Sequence, residues 1–376
     1  MPKFLDSQPK VCQIPPGIMK ILLSLTDQSF TATKSVGIFN VSLGLARGLM
    51  QAPGVSELHL LGNDECAAQF ANLPQHVHLH LADKPVPRRF GRVWWDQAGI
   101  CAAIRRIKPD WAILPKGFPP YFPLLGKTKL ACYLHDVNWE YYEQKRSEGD
   151  TPFPWHQLLY FRALGLRCLQ VSDLVFTSTA FNKERYEHYC PGCRTAVVGI
   201  GFDDAPRPYT PTAGRDILFY ASPYPHKLTA LGIRRVESWL QQRCDAAGIR
   251  IHLIGGLPGS TTLPGTHWVQ HGRLPFEEMK RIMHEECRCA IYFSDYEGFG
   301  MPPVECLRAG IPCIASALPP ICENIPARFT FDNADKAGFI RTLNAAYDAP
   351  DMSVVPTYPT WQEVASRCLA AMQRYS

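Results

Sequence analysis

The sequence has no run of eighteen uncharged apolar residues, so it carries no helix able to span a bilayer. No repeat of fixed period occurs, which excludes a solenoid, and no low-complexity tract occurs either. Charge is sparse at 19% while hydrophobic residues make up 46%, a balance that excludes a largely disordered chain. No Asp-x-Asp pair closes an apolar run, so a carboxylate metal clamp at a strand end is not expected. The opening stretch, MPKFLDSQPKVCQIPPGIMK, has prolines, Asp6 and lysines where a secretory leader needs an unbroken apolar core. The 14 cysteines lack regular spacing and read as small buried hydrophobes of a reduced, cytoplasmic protein. Cys190-Pro-Gly-Cys193 is a C-x2-C without a second pair, a poor zinc site.

What is present begins with length. At 376 residues the chain is long enough for two domains of about 150 residues each. The net charge of +5 lies entirely in residues 1–190, where 21 Lys/Arg face 16 Asp/Glu; the remainder balances at 18 against 18. Lys84–Lys108 holds seven cations against Asp96 alone, interleaved with Phe90, Trp94 and Trp95. Without a nucleic-acid recognition motif beside it, this stretch reads either as a solvated helix with buried tryptophans or as a contact for an anionic membrane surface.

Short apolar runs alternate with helical spacing along the chain. Strands are expected at Ile18–Leu25, Glu57–Gly62, Val77–Leu81, Asp110–Leu114, Lys129–Leu134, Asp173–Thr177 and Thr195–Val198. Helices are expected at Ile38–Met50, near Asp64–Asn72, and at Trp94–Ile107, Trp155–Gln170 and Ala180–His188. Asp204–Gly214, with three prolines and no periodicity, is the best linker. Beyond it the alternation restarts, with strands at Asp216–Ala221, Arg250–Ile254, Trp268–Gln270, Cys289–Phe293 and Pro312–Ala315. The helices between them are Leu228–Ala246, Phe276–Glu286 and Pro303–Ala309, and a last amphipathic helix covers Thr360–Tyr375. The fold class is α/β: two doubly wound, Rossmann-like domains with ligands bound at the carboxyl ends of their strands. The expected divisions are an extension at 1–18, domains at 19–205 and 206–358, and a closing helix at 359–376.

His76, His78 and His80 share one face of a strand, as metal ligands would. No carboxylate or cysteine near them in sequence completes a site, so a plain exposed strand face is the expectation.

The densest chemical signal is Asp295-Tyr-Glu-Gly-Phe-Gly-Met-Pro-Pro-Val-Glu305. It follows an apolar strand and opens a helix whose first turn holds Pro302 and Pro303. Glu297 lies in the loop and Glu305 in the helix, flanking a glycine-bearing turn where backbone N–H groups and the helix dipole favour an anion. A carboxylate there can accept both hydroxyls of a ribose diol. By spacing alone, an ordinary strand-to-helix turn with a solvated glutamate on each side fits equally well.

EGFGMPPVE resembles the E-x7-E signature of family-4 retaining glycosyltransferases, and AGIPCIAS after it resembles that family's next strand. The resemblance runs from about Met19 to the end and is strongest over residues 216–316. It implies a GT-B-like fold, with an acceptor-binding N-terminal domain, a nucleotide-sugar-binding C-terminal domain and an interdomain cleft. It also implies a C-terminal helix crossing back to the first domain. Glu297 then contacts the donor sugar, Glu305 holds the ribose, and Gly298, Phe299, Gly300 and Met301 lie against sugar and phosphates. In DILFYASPYPHKL, Lys227 matches the lysine that binds the donor diphosphate; Ser222 stands where many members have arginine, with His226 or Arg273 as partial substitutes. His135-Asp136, ending a strand, matches a pair near the donor sugar and the acceptor hydroxyl, although Asp136 alone could equally cap a helix. Gly37 matches the family's first glycine loop.

The implied activity is metal-independent, retaining transfer of a hexose, mannose or rhamnose favoured, from a nucleotide diphosphate sugar, GDP-sugar favoured. The acceptor is a saccharide or lipid-linked saccharide of surface polysaccharide synthesis, reached at the cytosolic face of a membrane. No cofactor, metal or nucleic acid is expected. A sugar-nucleotide epimerase of the same fold and a catalytically silent glycan- or nucleotide-binding scaffold are the alternatives.

Overall fold

The computed structural model describes residues 18–25, 36–70, 72–81, 95–147, 151, 153–203, 205–209, 214–259, 261–272, 274–353 and 355–375. Residues 1–17 of the expected extension, 84–94 of the basic stretch, Arg273, and Asp204 and 210–213 of the linker lie outside them.

Among the described residues, thirteen strands form two sheets with every ladder parallel. The first contains β1 (Met19–Ser24), β2 (Val55–Gly62), β3 (Val77–Leu81), β4 (Trp111–Leu114), β5 (Lys129–Tyr133), β6 (Leu174–Thr177) and β7 (Thr195–Val197), in the order β3-β2-β1-β4-β5-β6-β7. The second contains β8 (Asp216–Ala221), β9 (Ile251–Gly255), β10 (Trp268–Gly272), β11 (Cys287–Tyr292), β12 (Cys313–Ser316) and β13 (Thr330–Phe331), in the order β10-β9-β8-β11-β12-β13. Each sheet therefore reverses its strand order beside its first strand, between β1 and β4 and between β8 and β11. Such a reversal opens a crevice at the carboxyl ends of the strands. Helices cover both faces, so β1 is buried on both sides: Ile21 and Leu23 enter one core and Leu22 the other.

The last helix, Trp361–Gln373, opens with a capping box of Thr360 and Glu363. It lies across the first helix, Val36–Met50, where Gly44 and Gly48 let Trp361 approach: a Cβ on either would fall 2.0 or 2.2 Å from Trp361 atoms. Arg367 Nη1 donates to Val198 O (3.2 Å), and Lys129 Nζ donates to Tyr375 O. The C-terminal helix thus crosses back onto the first sheet's helices.

Some elements differ from the sequence expectation. The helix after β8 spans Thr229–Leu240 and stops short, because Arg243 forks onto Asp245 (2.7 and 3.0 Å) and Asp348 (2.9 and 3.0 Å). Residues two apart point away from each other on a helix, so that Arg–Asp pair requires a turn. The helix expected to reach Asn72 ends at Ala67. Helices at Trp139–Ser147 and Lys336–Asp348 were not expected.

Candidate active site

The candidate residues follow the carboxyl ends of β5, β8 and β11, and the last two strands flank the second sheet's crevice. After β8, Thr229 Oγ1 accepts from Ser222 N (3.0 Å) and donates to Ser222 O (2.8 Å), while Ser222 Oγ accepts from Tyr224 N (3.3 Å). Ser222 is therefore spent on its own turn. Pro225–Lys227 makes one 3₁₀ turn, and Leu228, at φ 45°, redirects the chain into the helix.

That turn delivers Lys227 to Glu297. Lys227 Nζ donates to Glu297 Oε1 (2.5 Å) and to Tyr292 Oη (2.5 Å), and Tyr292 Oη donates to Glu297 Oε1 (2.6 Å). Burial works to raise the Glu297 carboxyl, but the Lys227 charge and the two hydrogen bonds outweigh it and hold the group below the usual carboxylate range. The result is a preformed cation beside a preformed carboxylate.

The next residue is clamped to the other half of the molecule. Gly298 O accepts from Asn182 Nδ2 (2.8 Å), Thr179 Oγ1 (3.2 Å) and Ser178 Oγ (3.3 Å). Asn182 Nδ2 also donates to His135 O (2.9 Å), so one buried amide bridges the loops after β5 and β11. A Cβ on Gly298 would sit 2.5 Å from His135 O, which is why the close approach needs glycine. Asn182 belongs to the first turn of helix Ala180–Tyr189, capped by Thr179. Glu323, from the second half, accepts from Ala180 N (2.8 Å) and Phe181 N (2.7 Å) at the same helix end.

His135 Nε2 donates to Pro115 O (2.8 Å), leaving Nδ1 as the acceptor of a neutral ring. Burial, with the Lys116 charge adding to it, depresses this imidazole to about 4 against the bond to Pro115. Asp136 accepts from Asn138 N (3.1 Å); burial pushes its carboxyl up to about 6, the Glu297 charge adds to this and Lys227 opposes it. His226 meets Tyr142 Oη at Nδ1 (2.5 Å), and burial with the Lys227 charge lowers it to about 3. Tyr141, Tyr142, Phe153, Tyr224 and Tyr296 pack around His226 across the two halves.

Glu305 sits in helix Met301–Arg308, where burial, opposed by Lys280, raises its carboxyl to about 7. Pro302 and Pro303 carry no N–H, so this helix start offers fewer anion donors than expected from its glycines, and Lys227 supplies the charge. Gly37 faces Met301, whose Sδ lies 3.5 Å from where a Cβ would stand. Phe299 points into the hydrophobic core.

The structure therefore brings Gly37, His135, Asp136, His226, Lys227, Glu297, Gly298 and Met301 to one cleft. Sequence reasoning missed Tyr142, Asn182, Tyr292 and Glu323. Only Asn182 had a usable signal, the Thr179 cap three residues before it.

Comparison with known proteins bears on this cleft. Residues 263–353 match the family model described as Glycosyl transferases group 1. No curated protein matches the chain in sequence. Among solved structures, the Anabaena protein HepE in complex with UDP is similar at 15% identity and TM-score 0.59, covering 95% of this chain and 96% of that one. The apo structure of OtsA aligns at 12% identity and TM-score 0.59 over 95% and 96% of the two chains. The lipopolysaccharide outer core galactosyltransferase WaaB aligns at 12% and 0.55 over 92% and 93%. The fold is that of the GT-B glycosyltransferases. The family match and this fold together support a glycosyltransferase. No described helix is long and apolar enough to cross a membrane.

Proposed function

We propose that the chain is a retaining, family-4 type hexosyltransferase that uses a nucleotide diphosphate sugar and needs no metal. The observation that carries this reading is the Lys227–Glu297–Tyr292 triangle, set beside a Gly298 that is bonded to the opposite half. In transfer, charge builds on the departing diphosphate, and a preorganised cation in a water-poor cleft stabilises it. Lys227 takes that part, exchanging its bond to Glu297 for one to phosphate. Glu297, released, accepts from hydroxyls of the donor sugar. Glu305 accepts the ribose diol, and the unprotonated Nδ1 of His135 orients a sugar hydroxyl. Asp136 lies nearer the acceptor, whose proton passes to the leaving phosphate on the same face. The protein's share is positioning and charge stabilisation.

The similar HepE structure holds UDP, which supports a nucleoside diphosphate donor. From the sequence, a GDP-sugar with mannose or rhamnose is favoured, with a saccharide or lipid-linked saccharide as acceptor. The cations of 84–108 are assigned to contact with a cytosolic membrane surface.

Thermal unfolding against UDP, GDP, dTDP, ADP and CMP and their sugars tests the reading. A ligand at a hundred times its Kd adds about 2.7 kcal/mol to the folded state. A rise in midpoint with one nucleoside diphosphate, abolished in Lys227→Met, supports the donor site. No rise with any of them refutes it.

A further inference from the structure

We propose that Glu57, His59 and His78 form a site for a divalent transition metal, zinc(II) by preference, at the outer edge of the first sheet. It shares no residue with the candidate active site. No carboxylate lies beside the histidines of β3 along the chain; the neighbouring strand supplies one. β2 and β3 pair in parallel with His59 opposite His78 and Leu61 opposite His80. Glu57 and His59, two apart, present the same face as these histidines. The ligand atoms of Glu57, His59 and His78 all lie within 4.8 Å of one another.

The internal geometry suits a metal. His59 Nε2 and Glu57 Oε2 are 3.1 Å apart, close to the ~3.3 Å edge of a tetrahedron with bonds of about 2.0–2.1 Å. His59 Nδ1 stands 2.9 Å from His80 Nε2. When a metal takes Nε2, the imidazole keeps its single proton on Nδ1 and donates it to His80, the outer partner that ligating histidines ordinarily have. The His78 ring lies tilted with its centroid 4.9 Å from that of His59, is exposed, and has no hydrogen-bond partner among the described residues, so it can swing inward. Lys20 Nζ, 2.8 Å from Glu57 Oε2, occupies the carboxylate as a half-exposed, displaceable counter-charge. Three protein ligands leave one position open to water or a further ligand. Bound metal would clip the edge strand β3 to β2.

A second carboxylate–histidine group in the other sheet shows the contrasting case. Asp216, His252 and Glu286 also converge, but Arg250 bonds both carboxylates (2.7 and 3.0 Å) and His252 is 2% exposed. A guanidinium already fills that site. The β2–β3 group has only a movable lysine.

Calorimetric titration of the tag-free, metal-stripped full chain with zinc(II) and cobalt(II) tests the proposal. One saturable site per chain is expected, with a thermal midpoint that rises with zinc. His78→Ala and Glu57→Gln weaken it by at least about tenfold, and His80→Ala by about 10–100-fold through the outer partner. Lys20→Met tightens binding. His76→Ala leaves it unchanged, since that ring is bonded to Met50 O (3.2 Å). His78 is exposed, so circular dichroism of its variant will match the parent. Absence of saturable binding by the parent chain, or equal affinity in the parent, His78→Ala and Glu57→Gln, overturns the site.

Discussion

Replacing Asn182 by aspartate tests whether one amide holds the two halves of the cleft in register. The change preserves size while removing both donors. The wild-type Nδ2 gives 2.9 and 2.8 Å bonds to His135 O and Gly298 O from a fully buried position. Each lost bond to a neutral acceptor costs about 1 kcal/mol, so losing both costs about 2 kcal/mol and losing one, about 1 kcal/mol, is the floor. The new carboxyl faces two carbonyl oxygens without a counter-charge, so its folded pKa rises. At low pH the neutral acid donates one bond back. As pH rises through the folded pKa the group must ionise in place, and the cost grows toward the about 3–5 kcal/mol of a buried unpaired charge. Urea unfolding of parent and variant at pH 5.5 and pH 8 measures the difference, and titrations common to both chains cancel. The destabilisation is expected to be larger at pH 8. A difference under about 0.5 kcal/mol at both values, or one that does not change with pH, would falsify the bridging role.

Three further outcomes follow from the site. Lys227→Met leaves the buried Glu297 carboxylate without its cation and lowers stability by about 3–5 kcal/mol, most of which returns in Lys227→Met/Glu297→Gln; transfer falls by about 10²-fold or more in both, and recovery of activity in the double variant would contradict the assigned role of Lys227. Glu305, raised by burial to about 7, is favoured in its neutral form, so its contribution to stability is full at acid pH and is lost as pH rises through that value. Glu305→Gln should accordingly be more stable than the parent at pH 8, by about 3 kcal/mol, and by only about 1 kcal/mol or less at pH 5, while nucleotide binding is lost; equal stability curves would show that the carboxyl is not held in a desolvated position. Gly298→Ala puts a methyl 2.5 Å from His135 O, a backbone atom that no rotamer change can move. A loss of about 1–3 kcal/mol with a fall in kcat is expected, checked by melting and initial rates; a variant with parental melting and rate shows that the loops separate freely.

Much of this protein was legible in its sequence because the relevant signals are local. The alternation of apolar runs with helical spacing dictates parallel sheets, since strands in one direction need covered faces and crossover helices. The Glu297–Glu305 spacing brackets one strand-to-helix turn, and Lys227 follows its strand closely enough for the loop to be read. The last helix was legible from its amphipathic spacing, and the structure adds a capping box of Thr360 and Glu363 at its start. Helix Trp139–Ser147 escaped because WEYYEQKRS has no apolar stripe. It is held instead by rings, with Tyr141 and Tyr142 packed on Tyr296 and His226 from the other half.

The active arrangement itself is a product of tertiary structure. Asn182 and Gly298 are 116 residues apart, and Lys227 and Glu297 are 70 apart. Their bonds exist only because two sheets, each reversing beside its first strand, turn their carboxyl ends to one cleft. The register of β2 against β3 likewise decides that Glu57 and His59 join His78. Residue types and spacing determined which charged and polar side chains the chain carries at its strand ends. Which of them touch, which are desolvated enough to shift their protonation, and which glycine must stay bare were decided by packing, because distance and dielectric have no meaning along an unfolded sequence.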